Sequence, residues 1–229
     1  MSPTPLAPEA VVLDMDGTLL DTEEAYRIAL QEAVEACGHR AGEDFYAALV
    51  GISSRERGAL VRAALGPDFP WEECLRDYRA RKARLLSGAL RSKPGANELL
   101  AEIAEQRLSC AVATSASRRT ALVALKAAGL LHSIPVLITR DDVSAGKPDP
   151  AVFLRAATSL GAEPARCLAV EDSPPGITAA LEAGMRVVMV PDVVPPSAAL
   201  RQAGLVIAAD LLEVRAMLRN LRNGEALMP

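Results

Sequence analysis

The sequence predicts an α/β protein: a doubly wound, Rossmann-like parallel sheet with a block of helices inserted after its first strand. Three observations lead there. Short aliphatic runs that end in polar residues or glycine recur along the chain, as Ala10-Val11-Val12-Leu13 does before Asp14. From Pro94 onward such runs alternate with helical stretches of about ten residues or more, the pattern of βαβ units and hence of parallel strands covered on both faces. Between the first run and the second lies a long segment with helical periodicity and no strand pattern, which an insertion explains most simply.

Taken in order, residues 10–13 (AVVL) read as the first strand. A helix follows over about 22–37, with Gly38 as its stop. Further helices occupy roughly 43–50, 54–65 and 72–87, broken at Gly51, Gly66-Pro67 and Pro70. The alternating part then runs as helix 95–106, strand 108–113, helix 117–128, strand 135–138, helix 150–160, strand 167–170, helix 175–183 and strand 186–190. An apolar run at 205–207 precedes a C-terminal helix from about Leu211. Residues 1–9 read as a loose leader and 222–229 as a loose tail. The chain thus divides into an α/β core, 1–21 and 91–229, and a helical subdomain, 22–90.

Apolar residues make up 50% of the chain and aromatic ones only 3%, so the core must be aliphatic. A net charge of −4, with both signs interspersed, gives no electrostatic basis for binding nucleic acid or an anionic membrane. No stretch approaches ~18 consecutive apolar residues, and no charged-then-apolar signal pattern opens the chain. The expectation is a cytoplasmic protein, a monomer or weak homodimer. Cys37, Cys74, Cys110 and Cys167 form no CxxC pair and read as reduced structural thiols, Cys110 and Cys167 as packing within strands.

Open parallel sheets bind ligands beyond the carboxyl ends of their strands. There the sequence sets Asp14-Met15-Asp16-Gly17-Thr18 after the first strand and Thr114-Ser115 after the second. Lys147 stands in the loop after the third, and Glu171-Asp172-Ser173 ends the fourth. Several carboxylates at one sheet edge repel, by about 4 kcal/mol for a pair ~4 Å apart at an effective dielectric near 20, and so need cations among them. Lys147 supplies one, and oxygen-only ligands favour Mg²⁺ over Zn²⁺ for the rest. Asp14 and Asp16, two apart, share one side of an extended chain. One can attack phosphorus and hold the metal while the other moves protons. Gly17 lets the backbone turn tightly and approach a phosphate.

The segment Asp14-Met15-Asp16-Gly17-Thr18-Leu19-Leu20-Asp21-Thr22 resembles the first motif of the haloacid dehalogenase-like superfamily. Thr114-Ser115 resembles the second, Lys147 in GKPDP the third, and Glu171-Asp172-Ser173 with Gly176 and Ala183-Gly184 the fourth. The wording is nearest the β-phosphoglucomutase and phosphoglycolate phosphatase-like branch, and the helical block stands where that branch carries a cap domain. The resemblance implies a Mg²⁺-dependent phosphatase of a small phosphorylated metabolite, acting through an aspartyl-phosphate on Asp14. It implies Asp16 as general acid/base, Thr114 as donor to the phosphoryl oxygens, and Lys147 as the charge that balances them. The metal ligands would be Asp14, the backbone carbonyl of Asp16, Asp172 and Glu171, the last directly or through water. Gly17, Thr18, Ser115, Arg55 and Lys82 are implied as substrate-binding, with Gly51 beside the last two in the cap.

Three competing readings are weaker. A phosphomutase of this branch carries His where this chain has Tyr26; a true dehalogenase lacks the second Asp; a non-catalytic phospho-Asp regulator need not keep Asp16. Plainer roles are also expected. Thr114 and Asp172 each stand where they could cap the next helix. Tyr26 reads as packing, Phe69 and Trp71 as a local anchor, and Arg57, Arg79, Arg81 and Arg84 as a solvated helix face.

Overall fold

The structure, a computed structural model, describes residues 7–47, 49, 54–86, 88 and 90–225; the side chains of residues 47 and 54–56 also lie outside the description. Strand β1 (Ala10–Leu13) has all four side chains fully buried. A strand aliphatic on both faces belongs at the centre of a parallel sheet, because helices cover both sides. Five strands join it in parallel: β2 (Ser109–Ala113), β3 (Val136–Ile138), β4 (Cys167–Glu171), β5 (Arg186–Met189) and β6 (Val206–Ile207). Their order is β3-β2-β1-β4-β5-β6. The winding reverses between β1 and β4, and the crevice at their carboxyl ends is the topological switch point where such sheets take ligands.

Successive strand residues face opposite layers. Val11, Leu13, Val112, Leu168 and Val170 pack with α5 (Ala96–Glu105), α6 (Arg118–Ala127) and α10 (Leu211–Arg222). Ala10, Val12, Ala111, Ala113, Cys167 and Ala169 pack with α7 (Ala151–Leu160) and α8 (Pro174–Glu182). Alanine prevails on that second face, which leaves room for the fully buried Phe153 of α7. Between α5 and α10 the buried Glu102 accepts from Arg215 at 3.2 Å and Arg219 at 2.5 Å.

Between β1 and α5 the regular elements among the described residues are all helices: α1 (Glu23–Ala36), α2 (Glu43–Ala47), α3 (Ser54–Leu65) and α4 (Trp71–Leu86). Ala29, Leu30, Ala33 and Val34 line one face of α1 and meet Cys74, Leu75 and Tyr78 of α4 in a hydrophobic cluster separate from the two around the sheet. Phe69 and Trp71 are buried in it, the anchor the sequence predicts. A Cβ at Gly58 of α3 would lie 2.5 Å from Trp71 Nε1, so α3 seats directly on the indole.

The helix caps differ from expectation. Ser117 and Ser173 cap α6 and α8, accepting from Thr120 N at 3.3 Å and Gly176 N at 3.2 Å. These serines carry out the capping task, so neither Thr114 nor Asp172 is the capping residue. A short helix the sequence did not suggest, α9 (Ala198–Gln202), is capped by Ser197. The second helix of the insertion is described over Glu43–Ala47, and a turn stands at Leu49, short of the predicted end at 50; positions 48 and 50–53 lie outside the described residues, Gly51 among them. All four cysteines are free thiols, three of them buried. No described helix is long and apolar enough to cross a membrane.

Candidate active site

Register brings the acids together. Leu13 pairs with Val112 on one side and Val170 on the other, so Asp14 comes level with Glu171, and its N–H donates to Val170 O at 2.9 Å. Asp14, Glu171 and Asp172 present carboxylate oxygens that all lie within 4.8 Å of one another. Into this group reaches Lys147, whose side chain is only 5% exposed. Its Nζ donates to Asp14 Oδ1 and, at 2.5 Å, to Glu171 Oε1, and sits 4.9 Å from the centroid of the Phe153 ring. The other Glu171 oxygen accepts from Ser173 N at 2.8 Å and Ser173 Oγ at 2.9 Å.

One ammonium cannot balance three carboxylates. Burial, reinforced by Glu171 though opposed by Lys147, pushes the Asp14 carboxyl up to about 8. Burial likewise drives Asp172 well above the carboxylate range, with Glu171 and Asp14 adding to the rise. For Lys147 burial works against the charge, but Asp14 and Glu171 outweigh it and hold the ammonium above its ordinary range. The surplus negative charge calls for a further cation. The donors are all carboxylate oxygens, with no His or Cys in the group, so they fit a hard divalent ion such as Mg²⁺.

Two glycines are fixed by close approach. Gly17 has φ +85°, and a Cβ there would strike the Asp172 carboxylate. A Cβ at Gly176 would fall within the Glu171 carboxylate itself. Thr18, expected at the substrate, is fully buried and donates to Asp172 Oδ1 at 3.2 Å, so its hydroxyl supports that carboxylate. Thr114 is buried with its Oγ1 accepting from Ala116 N at 3.0 Å, which leaves its hydroxyl hydrogen available to a ligand.

Asp16 faces a different surrounding. Its Oδ1 accepts from the hydroxyl of Tyr26 on α1, and both line a cavity of about 480 Å³ between the inserted helices and the sheet. Tyr26 therefore does more than pack. Ser115 and Lys82 line the same cavity, and Lys82 Nζ lies 3.5 Å from the centroid of the Tyr26 ring. Arg57 and Arg79, read from the sequence as solvated, also border it, as does Arg140 after β3. Arg55 lies in the first turn of α3, but its side chain is outside the described residues. Asp192, beyond β5, was not anticipated either; its Oδ1 accepts from Lys93 at 2.6 Å, and it lies close to Gly17. None of these tertiary meetings has a local sequence signal.

A family model described as haloacid dehalogenase-like hydrolase matches residues 11–190. The chain is 32% identical over 214 residues to a phosphorylated carbohydrates phosphatase of Thermotoga maritima, covering 93% of this chain and 99% of that one. It is 33% identical over 207 residues to a validoxylamine A 7′-phosphate phosphatase of Streptomyces hygroscopicus subsp. limoneus, covering 90% and 96%. The crystal structure of CbbY from Rhodobacter sphaeroides in complex with phosphate superposes with a TM-score of 0.76 at 27% identity, over 90% of this chain and 96% of that one. With its four motifs gathered at one sheet edge and the family model spanning most of its length, this chain belongs to the haloacid dehalogenase-like hydrolases.

Proposed function

We propose that the chain is a Mg²⁺-dependent phosphatase that hydrolyses a small phosphomonoester, a sugar phosphate or similar metabolite, through an aspartyl-phosphate on Asp14. The observation that carries this reading is the meeting of Asp14, Glu171 and Asp172 around the single ammonium of Lys147 at the switch point of the sheet. Similarity to phosphatases of phosphorylated small molecules supports it.

In the first step a carboxylate oxygen of Asp14 bonds to phosphorus as the bond to the ester oxygen breaks. Asp16 gives its proton to that leaving oxygen. In the second step Asp16, now a carboxylate, takes a proton from water as the water oxygen attacks phosphorus, which frees Asp14 and inorganic phosphate. Thr114 donates to the phosphoryl oxygens and Lys147 balances their charge, because phosphoryl transfer depends chiefly on positioning and neutralisation. Tyr26 orients Asp16 from the helical side. Asp14, Asp172 and the Asp16 carbonyl would hold Mg²⁺, with Glu171 acting directly or through water. When bound, the ion offsets the surplus carboxylate charge and polarises the phosphoryl group. Helices α1–α4, residues 22–90, act as a cap over the cavity, excluding bulk water and selecting substrate.

The test is turnover of a chromogenic aryl phosphate. With Mg²⁺ present the protein is expected to hydrolyse it; chelation should lower the rate by about 100-fold or more, and added Mg²⁺ should restore it. Equal rates with and without the ion, or no turnover in either, would refute the reading. Gly176→Ala gives a finer check, because the new methyl group must displace the Glu171 carboxylate and with it Lys147. Turnover is expected to fall about 100-fold in a protein whose circular dichroism is unchanged.

A further inference from the structure

The cavity beside Asp16 carries more positive charge than one transferred phosphoryl group requires. Lys147 is not part of its lining; it is engaged with Asp14 and Glu171. Around the cavity stand Arg57, Arg79, Lys82 and Arg140, and among the described lining residues the acids are Asp16 and Glu23. Among the described residues Arg79 and Lys82 form no ion pair with a carboxylate, and Lys82 rests on the Tyr26 ring instead. Arg140 reaches Asp141 only at 4.0 Å, with its own side chain 60% exposed, a contact too long and too wet to hold it.

These cations also oppose one another. Burial holds the Lys82 ammonium below its ordinary range; Arg57 and Arg140 add to that effect, while Asp16 and Glu23 resist it. Like charges gathered around one cavity repel unless an anion comes among them. The backbone that carries Arg140 is fixed in advance. Its N–H donates to Ala116 O at 3.1 Å, and its turn is braced by Asp142, which accepts from Thr139 N at 2.8 Å, Thr139 Oγ1 at 2.7 Å and Arg118 at 2.8 Å. A guanidinium carried on such a backbone, with no close carboxylate holding it, can offer a carboxylate or phosphate two parallel donors.

We propose that Arg79 and Lys82 from α4 and Arg140 from the loop after β3 form a second anion subsite, and that the substrate is a small phosphomonoester bearing a second anionic group, carboxylate or phosphate. This rests on the phosphatase reading for the transferred group and adds where the rest of the molecule binds. A cavity of about 480 Å³ has room for a sugar-sized ligand.

The experiment is calorimetric titration of the Asp14→Asn protein in Mg²⁺ with three ligands that differ only at C1: glucitol 6-phosphate, 6-phosphogluconate and glucitol 1,6-bisphosphate. At least one doubly anionic ligand is expected to bind about tenfold or more tightly than glucitol 6-phosphate, equivalent to about 1.4 kcal/mol. The arm that shows the gain identifies carboxylate or phosphate. Arg140→Gln in the same background is expected to bring the ratio below about threefold. Equal affinities, no binding by any ligand, or a preference that survives both Arg140→Gln and Lys82→Gln would overturn the subsite. Failure of the phosphatase reading is seen separately, as wild-type protein that does not hydrolyse an aryl phosphate while these binding ratios are still measured.

Discussion

Asp14→Asn is expected to cut aryl phosphate turnover by at least about a thousandfold, because a neutral amide oxygen is a poor nucleophile toward phosphorus. The substitution keeps size and shape, so the loss should come without unfolding. The charge argument goes further. Asp14 is buried beside Glu171 and Asp172, and burial has already raised its carboxyl to about 8. Removing that acid leaves two carboxylates around Lys147 in place of three, which relieves repulsion in the metal-free protein. The urea midpoint of the variant in a chelating buffer should therefore equal or exceed that of the wild type. Activity within about tenfold of wild type would show that Asp14 is not the nucleophile.

Lys147→Met is expected to damage both activity and stability. Methionine keeps nearly the same length and fits against Phe153, so packing changes little. What goes is the one ammonium that Asp14 and Glu171 share, at a site where the Lys147 side chain is 5% exposed and Glu171 fully buried. Breaking a buried ion pair from one side costs about 3–5 kcal/mol, since the remaining charge keeps no partner. Losing a charge aimed at the phosphoryl oxygens costs about 100- to 1000-fold in rate. Urea unfolding with a chelator should reveal the first effect. Added Mg²⁺ should raise the midpoint of Lys147→Met more than that of wild type, because a divalent ion supplies part of the missing charge. An unchanged midpoint in chelator would contradict the account of the acidic cluster given above.

The sheet was legible in the sequence because its strands are short, mainly aliphatic runs, and the central pair, β1 and β4, is buried on both faces and ends at acidic residues. Even the two-residue β6 left a trace in the apolar run at 205–207. The residues at the strand ends were legible for the same reason: position relative to a strand end is a local property. What escaped depends on the packing of distant segments. Tyr26 meets Asp16 only because α1 folds back over the loop after β1, and Arg140 faces Lys82 only because α4 lies opposite the loop after β3. The part Thr18 plays was not legible because it is long-range: its hydroxyl donates to Asp172, on the loop after β4, and Gly17 is pressed against the same carboxylate. The helix caps were misread by one and three positions, since Ser173 follows Asp172 directly and Ser117 lies three beyond Thr114.

Most of the oily interior of α1–α4 forms a cluster of its own, distinct from the two layers that grip the sheet, and Leu86 and Tyr26 join it to one of them. On the cap role proposed above, mutations accumulating in that separate cluster would redraw what the enzyme admits while leaving most of the packing beneath the strand tips unchanged. Descendants of such a protein inherit the reaction intact and are free to change their diet.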